Sequence, residues 1–136
     1  AALRVAERNR RRCQLERVRL LESDLFSAVA GERFDLVAAN LPYVTEEEYP
    51  TLSPEVREFE PRLALVAGEG GMALIARAVR DLAGFLNPAG RAIFELSPPQ
   101  APRLVRLFAE AGEFSGIEVI QDYTRRDRFV AARRNG

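Results

Sequence analysis

The pattern of apolar and polar positions predicts alternating strands and helices along this chain. Continuous apolar runs, typical of buried strands, occupy 33–39 and 91–96. Shorter runs rich in branched residues predict three further strands, at 17–22, 117–121 and 128–132. The last two are joined by the polar stretch 122–127, as in an antiparallel hairpin. We therefore predict an α/β fold that ends in an antiparallel pair of strands.

Two segments repeat apolar residues at helical spacing. The first opens at Gly70-Gly71 and extends over 71–86, with a stripe of Ile75, Val79, Leu82 and then Phe85 or Leu86. A turn at Asn87-Pro88-Ala89-Gly90 ends it. The second begins at Ser97-Pro98-Pro99 and ends at Gly112, with a stripe of Leu104, Leu107, Phe108 and Ala111. Two shorter pieces complete the prediction, the end of a helix at 1–12 and a short helix or turn at 25–31.

The tetrapeptide Asn40-Leu41-Pro42-Tyr43 follows the strand at 33–39 directly. Ligands bind at the carboxyl ends of strands in open α/β sheets, so these residues are candidates for a site. Asn40 offers a carbonyl acceptor, Pro42 restrains Leu41 so that its carbonyl has a defined direction, and Tyr43 supplies a flat face. Such a set could hold a planar nitrogen between two acceptors. The same residues are also typical of an ordinary exit from a strand into a turn.

Several further motifs surround the tetrapeptide. Glu22-Ser23-Asp24-Leu25-Phe26 lies upstream, and the downstream motifs are, in order, 56–65, Gly70-Gly71-Met72, Phe94-Glu95-Leu96, Gln100, Asp122 and Asp127-Arg128. This order resembles the bacterial release factor glutamine N5-methyltransferase family along nearly the whole chain. The tetrapeptide is similar to the Asn-Pro-Pro-Tyr motif of S-adenosylmethionine-dependent amino-methyltransferases. Leu41 stands where that motif has its first proline, a change that keeps the backbone carbonyl.

The resemblance implies a partial Rossmann-like sheet of the class I methyltransferase type, with flanking helices and a C-terminal antiparallel hairpin. It also implies S-adenosylmethionine as the methyl donor and a peptide chain release factor as the protein substrate. Catalytic and substrate-binding roles are implied for Asn40, Leu41, Pro42 and Tyr43. The Asn40 side-chain oxygen and the Leu41 carbonyl would accept the two N–H bonds of a glutamine amide, and Tyr43 would pack on its plane.

The resemblance further assigns Asp24, Leu25 and Asn40 to the cofactor. A carboxylate can accept from the adenine amino group, and the following backbone N–H can donate to a ring nitrogen. From the residues alone, Asp24 is also a typical cap for a short helix that begins at Leu25.

The connection 44–69 contains Pro50, Pro54 and Pro61, so it is not a single helix. A connection of this length in a compact domain is usually functional or disordered, and we expect it to cover the substrate side of the cleft. The resemblance implies that Phe59, Glu60 and Pro61 pack against the tetrapeptide as support.

Composition excludes several kinds of chemistry. The 136 residues contain no His and no Lys, so Ser-His and Cys-His catalysis, Schiff bases and a P-loop lysine are excluded within this chain. The single cysteine, Cys13, allows no internal disulfide and indicates no metal site. The low cysteine content agrees with a cytoplasmic protein, and no membrane span or signal peptide is visible. The formal net charge of zero makes nucleic acid an unlikely partner.

Charge is unevenly distributed. Arginines concentrate near the start, at Arg8, Arg10, Arg11, Arg12, Arg17 and Arg19. Glutamates concentrate after the tetrapeptide, at Glu46, Glu47, Glu48, Glu55, Glu58 and Glu60. Both sets are typical of solvated surface, and an acidic segment beside a cleft would disfavour a phosphate backbone there.

A nucleoside-cofactor fold begins with a strand, a Gly-rich turn and a helix, and this chain has no such start. We expect residues 1–136 to be the C-terminal part of a methyltransferase domain that lacks the cofactor loop, the first strands and the family's N-terminal helical domain. The family orders its strands 3-2-1-4-5-7-6. The segment 17–22 corresponds to the third strand, so we expect it to be detached from the main sheet or to pair abnormally. Two alternatives stay open, an adenine N6-methyltransferase acting on RNA or DNA and a non-catalytic remnant.

Overall fold

The computed structural model describes residues 2–136, which divide into two compact units on either side of the boundary between Glu32 and Arg33. The first unit begins with helix α1 (Ala2–Arg12), as predicted. Within it, Glu7 forms ion pairs with Arg10 at 2.8 Å and Arg11 at 2.6 Å. Hydrogen bonds from these two guanidinium groups lower the pKa of Glu7 to about 2. None of the helices in residues 2–136 is long and apolar enough to cross a membrane.

The predicted strand at 17–22 is wrong, because these residues adopt no regular secondary structure. Isolated strands are not stable without a partner that satisfies their backbone groups, and the sheet of the described residues contains no part of this segment. The expectation that 17–22 would be detached from the main sheet is confirmed. Within the first unit, Arg19 of this segment forms an exposed ion pair of 2.7 Å with Glu32.

The second unit contains a four-stranded sheet with the order β1-β2-β4-β3. The strands are β1 (Phe34–Ala39), β2 (Leu86–Glu95), β3 (Phe114–Gln121) and β4 (Asp127–Arg134). β1 and β2 are parallel, whereas β4 is antiparallel to both β2 and β3. The four strands of the predicted core are therefore confirmed. Their order also matches the 4-5-7-6 half of the expected sheet.

Four helices belong to the second unit, namely α2 (Pro54–Phe59), α3 (Gly68–Gly71), α4 (Ala73–Leu82) and α5 (Ala101–Ala111). Short 3₁₀ turns lie at Ser27–Val29 in the first unit and at Tyr49–Thr51, Arg62–Ala64, Ala83–Phe85 and Pro98–Gln100 in the second. α5 ends at Gly112 in the left-handed conformation, as predicted. The prediction that 44–69 is not one helix is also confirmed.

The predicted helix at 71–86 is shorter than expected. α4 begins only at Ala73 and ends at Leu82, and Leu86 already belongs to β2. The apolar stripe continued past the helix end because Leu86 is buried in the same core as Leu82. The turn predicted at 87–90 appears as an irregularity inside β2, where pairing with β1 jumps from Leu86 to Arg91.

The core lies on one face of the sheet, under α4 and α5. Its largest fully buried side chains are Phe94, Phe108, Met72, Ile75, Leu82, Leu86, Leu96, Leu104 and Val130. Phe108 joins the sheet to α5 through edge-to-face contacts with Phe94 and Phe114. β1 was predicted to be a buried strand, yet none of its residues is fully buried and Leu36 is 60% exposed. The reason is its position at the edge of the sheet.

Candidate functional site

The tetrapeptide Asn40-Leu41-Pro42-Tyr43 leaves the sheet at the carboxyl end of β1, beside the carboxyl end of the parallel strand β2. Within residues 2–136, the side chain of Asn40 has no hydrogen-bond partner and the Leu41 carbonyl accepts no hydrogen bond. Pro42 has no N–H to occupy either group. Two acceptors are therefore free at the end of β1, which is the edge where α/β sheets bind ligands.

Asn40 lines two cavities. The larger has a volume of about 470 Å³ and is lined by Asn40, Leu41, Pro42, Tyr43, Val44, Val56, Glu60, Ala64 and Leu65. The smaller has a volume of about 220 Å³ and is lined by Ala38, Ala39, Asn40, Ile93, Glu95 and Phe129. Asn40 is the residue common to the two walls, so a group bound in either cavity can reach it.

The backbone after the tetrapeptide is fixed by two sets of hydrogen bonds. Val44 donates to the Leu65 carbonyl at 2.9 Å and accepts from Ala67 at 3.0 Å. The Tyr43 carbonyl accepts from Nε2 of Gln100 at 2.8 Å. Because these bonds occupy the main chain of Tyr43 and Val44, the path of the chain just after Leu41 and Pro42 is defined.

Gln100 is the buried polar residue of this region. Its Nε2 also donates to the Gly70 carbonyl at 3.1 Å, and its Oε1 accepts from the Ser97 N–H at 3.1 Å. One side chain thus joins the tetrapeptide to the α3 turn and to the start of the turn that precedes α5. Gly71 lies in the same contact, with φ +77° and with no room for a Cβ beside the Tyr43 carbonyl.

The Tyr43 side chain is bound by an ion pair. Its hydroxyl accepts from Arg128 at 2.7 Å and donates to Oε1 of Glu95 at 3.4 Å, and Arg128 donates to the same carboxylate oxygen at 2.8 Å. The guanidinium carbon lies 5.4 Å from the centre of the Tyr43 ring. Burial raises the pKa of the Tyr43 hydroxyl above its ordinary value, although the positive charge of Arg128 opposes the shift.

The expectation for Phe59-Glu60-Pro61 is only partly met. Glu60 lines the larger cavity together with the tetrapeptide. Phe59 does not pack against it, because its side chain is 82% exposed. Phe59 ends the six-residue helix α2, and a helix this short presents only one side to the cavity, the side that carries Val56.

Asp24 and Leu25 lie in the first unit, whereas the tetrapeptide lies in the second. The prediction of a short helix or turn after Asp24 is confirmed by the 3₁₀ turn at Ser27–Val29. Ser23 holds this turn, because its hydroxyl donates to the Leu25 carbonyl at 2.9 Å and accepts from the Ala28 N–H at 3.0 Å. Asp24 contributes its N–H to the Ser27 hydroxyl at 3.1 Å.

Sequence reasoning gave Gln100, Glu95 and Arg128 no role beyond their place in the family pattern. For Gln100 a local signal existed, since Ser97-Pro98-Pro99-Gln100 has the Ser-x-x-Gln spacing of a capping box. Glu95 and Arg128 carry no comparable signal, because they meet Tyr43 only through the pairing of β2 with β4.

The fold places this chain in a recognisable class. A parallel β1–β2 pair continued by an antiparallel β4 and then β3, with the free acceptors at the end of β1, has the strand order and directions of a class I methyltransferase sheet over its 4-5-7-6 half.

Sequence comparison identifies the relatives within that class. The chain is 39% identical over 132 residues to the release factor glutamine methyltransferase of Rhodopirellula baltica, an alignment that covers 96% of this chain and 45% of that protein. It is 36% identical over 138 residues to the corresponding protein of Clostridium acetobutylicum, covering 99% of this chain and 48% of that protein. The ribosomal protein uL3 glutamine methyltransferase of Xanthomonas campestris is 37% identical over 117 residues, covering 86% and 37%.

The predicted resemblance is therefore confirmed: the chain is related in sequence, along nearly its whole length, to the release factor glutamine methyltransferases. It spans about half the length of the curated relatives it matches. No family model matches. Among solved structures, the release factor-specific protein-(glutamine-N5) methyltransferase of Alicyclobacillus acidocaldarius is similar, with a TM-score of 0.46 and 18% identity over 83% of this chain and 56% of that chain.

Proposed function

We propose that this chain is the C-terminal part of an enzyme that methylates the side-chain amide nitrogen of a glutamine in a peptide chain release factor. One observation carries the proposal. Asn40 and Leu41 present two unoccupied acceptors, within residues 2–136, in the wall of a cavity of about 470 Å³. A primary amide has two N–H donors to match them. The names of the most similar relatives give this same substrate.

In this mechanism the chain acts by positioning. An amide nitrogen is a poor nucleophile because its lone pair is delocalised into the carbonyl. The Asn40 side-chain oxygen and the Leu41 carbonyl would accept its two N–H bonds, which orients the nitrogen and favours the polarised state that approaches transfer. Tyr43 would pack on the amide plane. No general base is needed before transfer, because the proton can leave the more acidic methylated product.

S-adenosylmethionine, when bound, supplies the electrophilic methyl group. Asn40 would border it from the smaller cavity, and the adenine-binding roles of Asp24 and Leu25 stay predictions from the family resemblance. That cavity, at about 220 Å³, is below the ~300–1,000 Å³ of ordinary ligand pockets. The residues of this chain therefore fit part of a donor site. We expect titration calorimetry on the 136-residue chain to give weak or no binding of S-adenosylmethionine, and sub-micromolar affinity would contradict a divided donor site.

A protein substrate fits the larger cavity better than a nucleic acid does. Glu60 lines the cavity wall, and the surrounding connection 44–69 carries six further glutamates, at Glu46, Glu47, Glu48, Glu55, Glu58 and Glu69. Their negative charge would repel a phosphate backbone. Ribosomal protein uL3 is a second candidate substrate, because the Xanthomonas campestris relative carries that name. Either substrate would place the enzyme in the cytoplasm, where ribosomes work.

The decisive experiment uses a chimera in which this chain replaces the matching 132 residues of the Rhodopirellula baltica relative. Methyl transfer to a release factor is measured, with a Gln-to-Ala release factor as the control substrate. Asn40→Ala removes one of two preorganised acceptors and should lower turnover on the order of 10²–10³-fold. Leu41→Pro keeps the carbonyl and stiffens the loop, so it should leave turnover unchanged or raise it slightly.

Three results would contradict the proposal. Near-normal turnover of a folded Asn40→Ala chimera would exclude the mechanism. Methylation of uL3 alone would reassign the protein substrate. Strong methylation of RNA or DNA, with none of the release factor, would keep the acceptor pair and make the enzyme an adenine N6-methyltransferase that acts on an extruded base.

A further inference from the structure

Tyr43 is fixed at both of its ends by residues from distant parts of the chain. Its main-chain carbonyl is bound by Gln100, and its hydroxyl is bound by Arg128 and Glu95. Arg128 is 85 residues away in sequence and reaches the hydroxyl from β4. Tyr43 itself lines the larger cavity. Tyr43 is therefore held at its main-chain carbonyl and at its side-chain hydroxyl, which restricts the orientation of the ring between them.

The ion pair between Arg128 and Glu95 contributes little to the stability of the fold. Arg128 and Glu95 keep 32% and 25% of their side-chain surface exposed, a setting in which an ion pair adds little net free energy. β2 and β4 are already joined by a backbone ladder that ends at Glu95 and Phe129. Leu96 extends the ladder by donating to the Arg128 carbonyl at 3.0 Å. The side chains of Arg128 and Glu95 are thus not needed to join β2 to β4, and they can orient Tyr43.

We propose that Arg128, oriented by Glu95, is a positioning residue that holds the Tyr43 ring in the wall of the substrate cavity. Arg128 donates to the hydroxyl oxygen, and the hydroxyl donates in turn to the carboxylate, so each polar atom of the tyrosine tip has a partner. A second guanidinium nitrogen donates to the Leu96 carbonyl at 3.3 Å, which fixes the plane of the group. The proposal rests on the proposed function only for its catalytic consequence.

The contact itself can be tested on the 136-residue chain without any catalysis. The chain has three tyrosines and no tryptophan, so Tyr49→Phe combined with Tyr123→Phe leaves Tyr43 as the single tyrosine chromophore. Tyrosinate absorbance is then followed against pH. Arg128→Gln should raise the pKa of Tyr43, because a neighbouring positive charge is removed. Glu95→Gln should lower it, because a negative charge is removed.

Arg126→Gln serves as the matched control. It removes the same positive charge two residues earlier, where, within residues 2–136, no hydrogen bond or ring contact joins the side chain to Tyr43, and it should leave the titration unchanged. Circular dichroism verifies the fold of each variant over the pH range used. An identical Tyr43 titration in the parent, Arg128→Gln and Glu95→Gln chains would overturn the proposal.

The catalytic consequence is tested in the chimera by a double-mutant cycle. Arg128→Gln should lower kcat/KM on the order of tenfold when Tyr43 is present and less than about twofold in a Tyr43→Ala background. Arg128→Lys should restore part of the loss, because it keeps the charge but not the planar donor pair. Equal losses in both backgrounds would show a merely structural role and overturn the proposal.

The two arms separate this proposal from the proposed function. Opposite shifts of the Tyr43 titration support the positioning contact even if the chimera methylates no glutamine, and that result would overturn only the proposed function. Methyl transfer that requires Asn40 but is indifferent to Arg128, with an unchanged titration, would overturn only the positioning role.

Discussion

Gly71 packs against the Tyr43 carbonyl so closely that a Cβ at residue 71 would lie 2.0 Å from that oxygen. Gly71 also has a φ of +77°, which other residues rarely adopt. We expect Gly71→Ala to lower the free energy of unfolding by about 2–4 kcal/mol, from backbone strain together with overpacking. Urea unfolding of the 136-residue chain measures the change.

Gly68→Ala is the matched control for this prediction. Gly68 begins the same turn, has no left-handed φ and has nothing within 4 Å of an added Cβ. Its substitution should shift the free energy of unfolding by less than about 0.5 kcal/mol. Equal behaviour of the two alanine variants would show that the α3 turn does not approach Tyr43 as described.

Gln100→Leu should destabilise the chain by about 2–4 kcal/mol. The substitution leaves the Tyr43 and Gly70 carbonyls and the Ser97 N–H without their side-chain partner in a buried place. Gln121→Leu is the comparison, because Gln121 is exposed and its side chain donates to the carboxylate of Asp127 at 3.0 Å, and it should cost under ~1 kcal/mol. Thermal and urea unfolding measure both variants, and similar costs would refute the assigned role of Gln100.

The hydrogen bonds of Asp122 predict that the stability contributed by the β3–β4 hairpin depends on pH. Its carboxylate accepts from the Thr124 hydroxyl at 2.6 Å, from the Thr124 N–H at 2.7 Å and from the Arg126 N–H at 3.1 Å. These bonds lower the pKa of Asp122 below its ordinary value of 3.8. Because the pKa of Asp122 is lower in the folded state, its ionised carboxylate stabilises the fold, and this stabilisation is fully present above pH 3.8. It is lost as the pH falls through the lowered folded-state pKa.

Asp122→Asn keeps the shape but not the charge, so it separates this contribution from the rest. Its melting temperature should lie below that of the parent at pH 7, and the difference should close as the pH is taken well below 3.8. Melting curves recorded from pH 7 to pH 2 test this, and a difference that stays constant with pH would count against the charge as its cause.

Phe59 and Phe108 should respond in opposite ways to truncation. Phe59 is 82% exposed, so Phe59→Ala should change the free energy of unfolding by less than about 0.5 kcal/mol. Phe108 is fully buried between Phe94 and Phe114, so Phe108→Ala should cost about 3–5 kcal/mol. A large cost at Phe59 would mean that it packs against the tetrapeptide after all.

The parts of the fold that could be predicted are those with a local pattern. The strand at 33–39 and the helix that ends at Gly112 were located from apolar spacing and turn residues, which act within a few positions. The segment 17–22 has the same local pattern, but a strand exists only where a neighbour completes its ladder. The end of α4 was missed for a related reason, because Leu86 continues the apolar stripe of the helix while it pairs with Phe34.

The residues of the candidate site also fall into those that a local sequence pattern reveals and those that it does not. Asn40-Leu41-Pro42-Tyr43 could be found because a polar, rigid and aromatic group directly follows a strand. The residues that hold Tyr43 could not be found in this way. Glu95, Gln100 and Arg128 are 52, 57 and 85 residues away from it in sequence. Their meeting depends on the strand order and on the register of β2 with β4, which no local pattern encodes.

Because β1 lies at the edge of the sheet, a further strand can pair with its free side. One side of β1 is laddered to β2, and within residues 2–136 no strand occupies its other side. A strand that docked there would find backbone donors and acceptors already spaced for it, and Leu36 and Ala38 exposed beside them. Its arrival would leave the register of all three existing ladders unchanged. The tetrapeptide at the end of β1 would then lie in the interior of a wider sheet, flanked on both sides by strand ends.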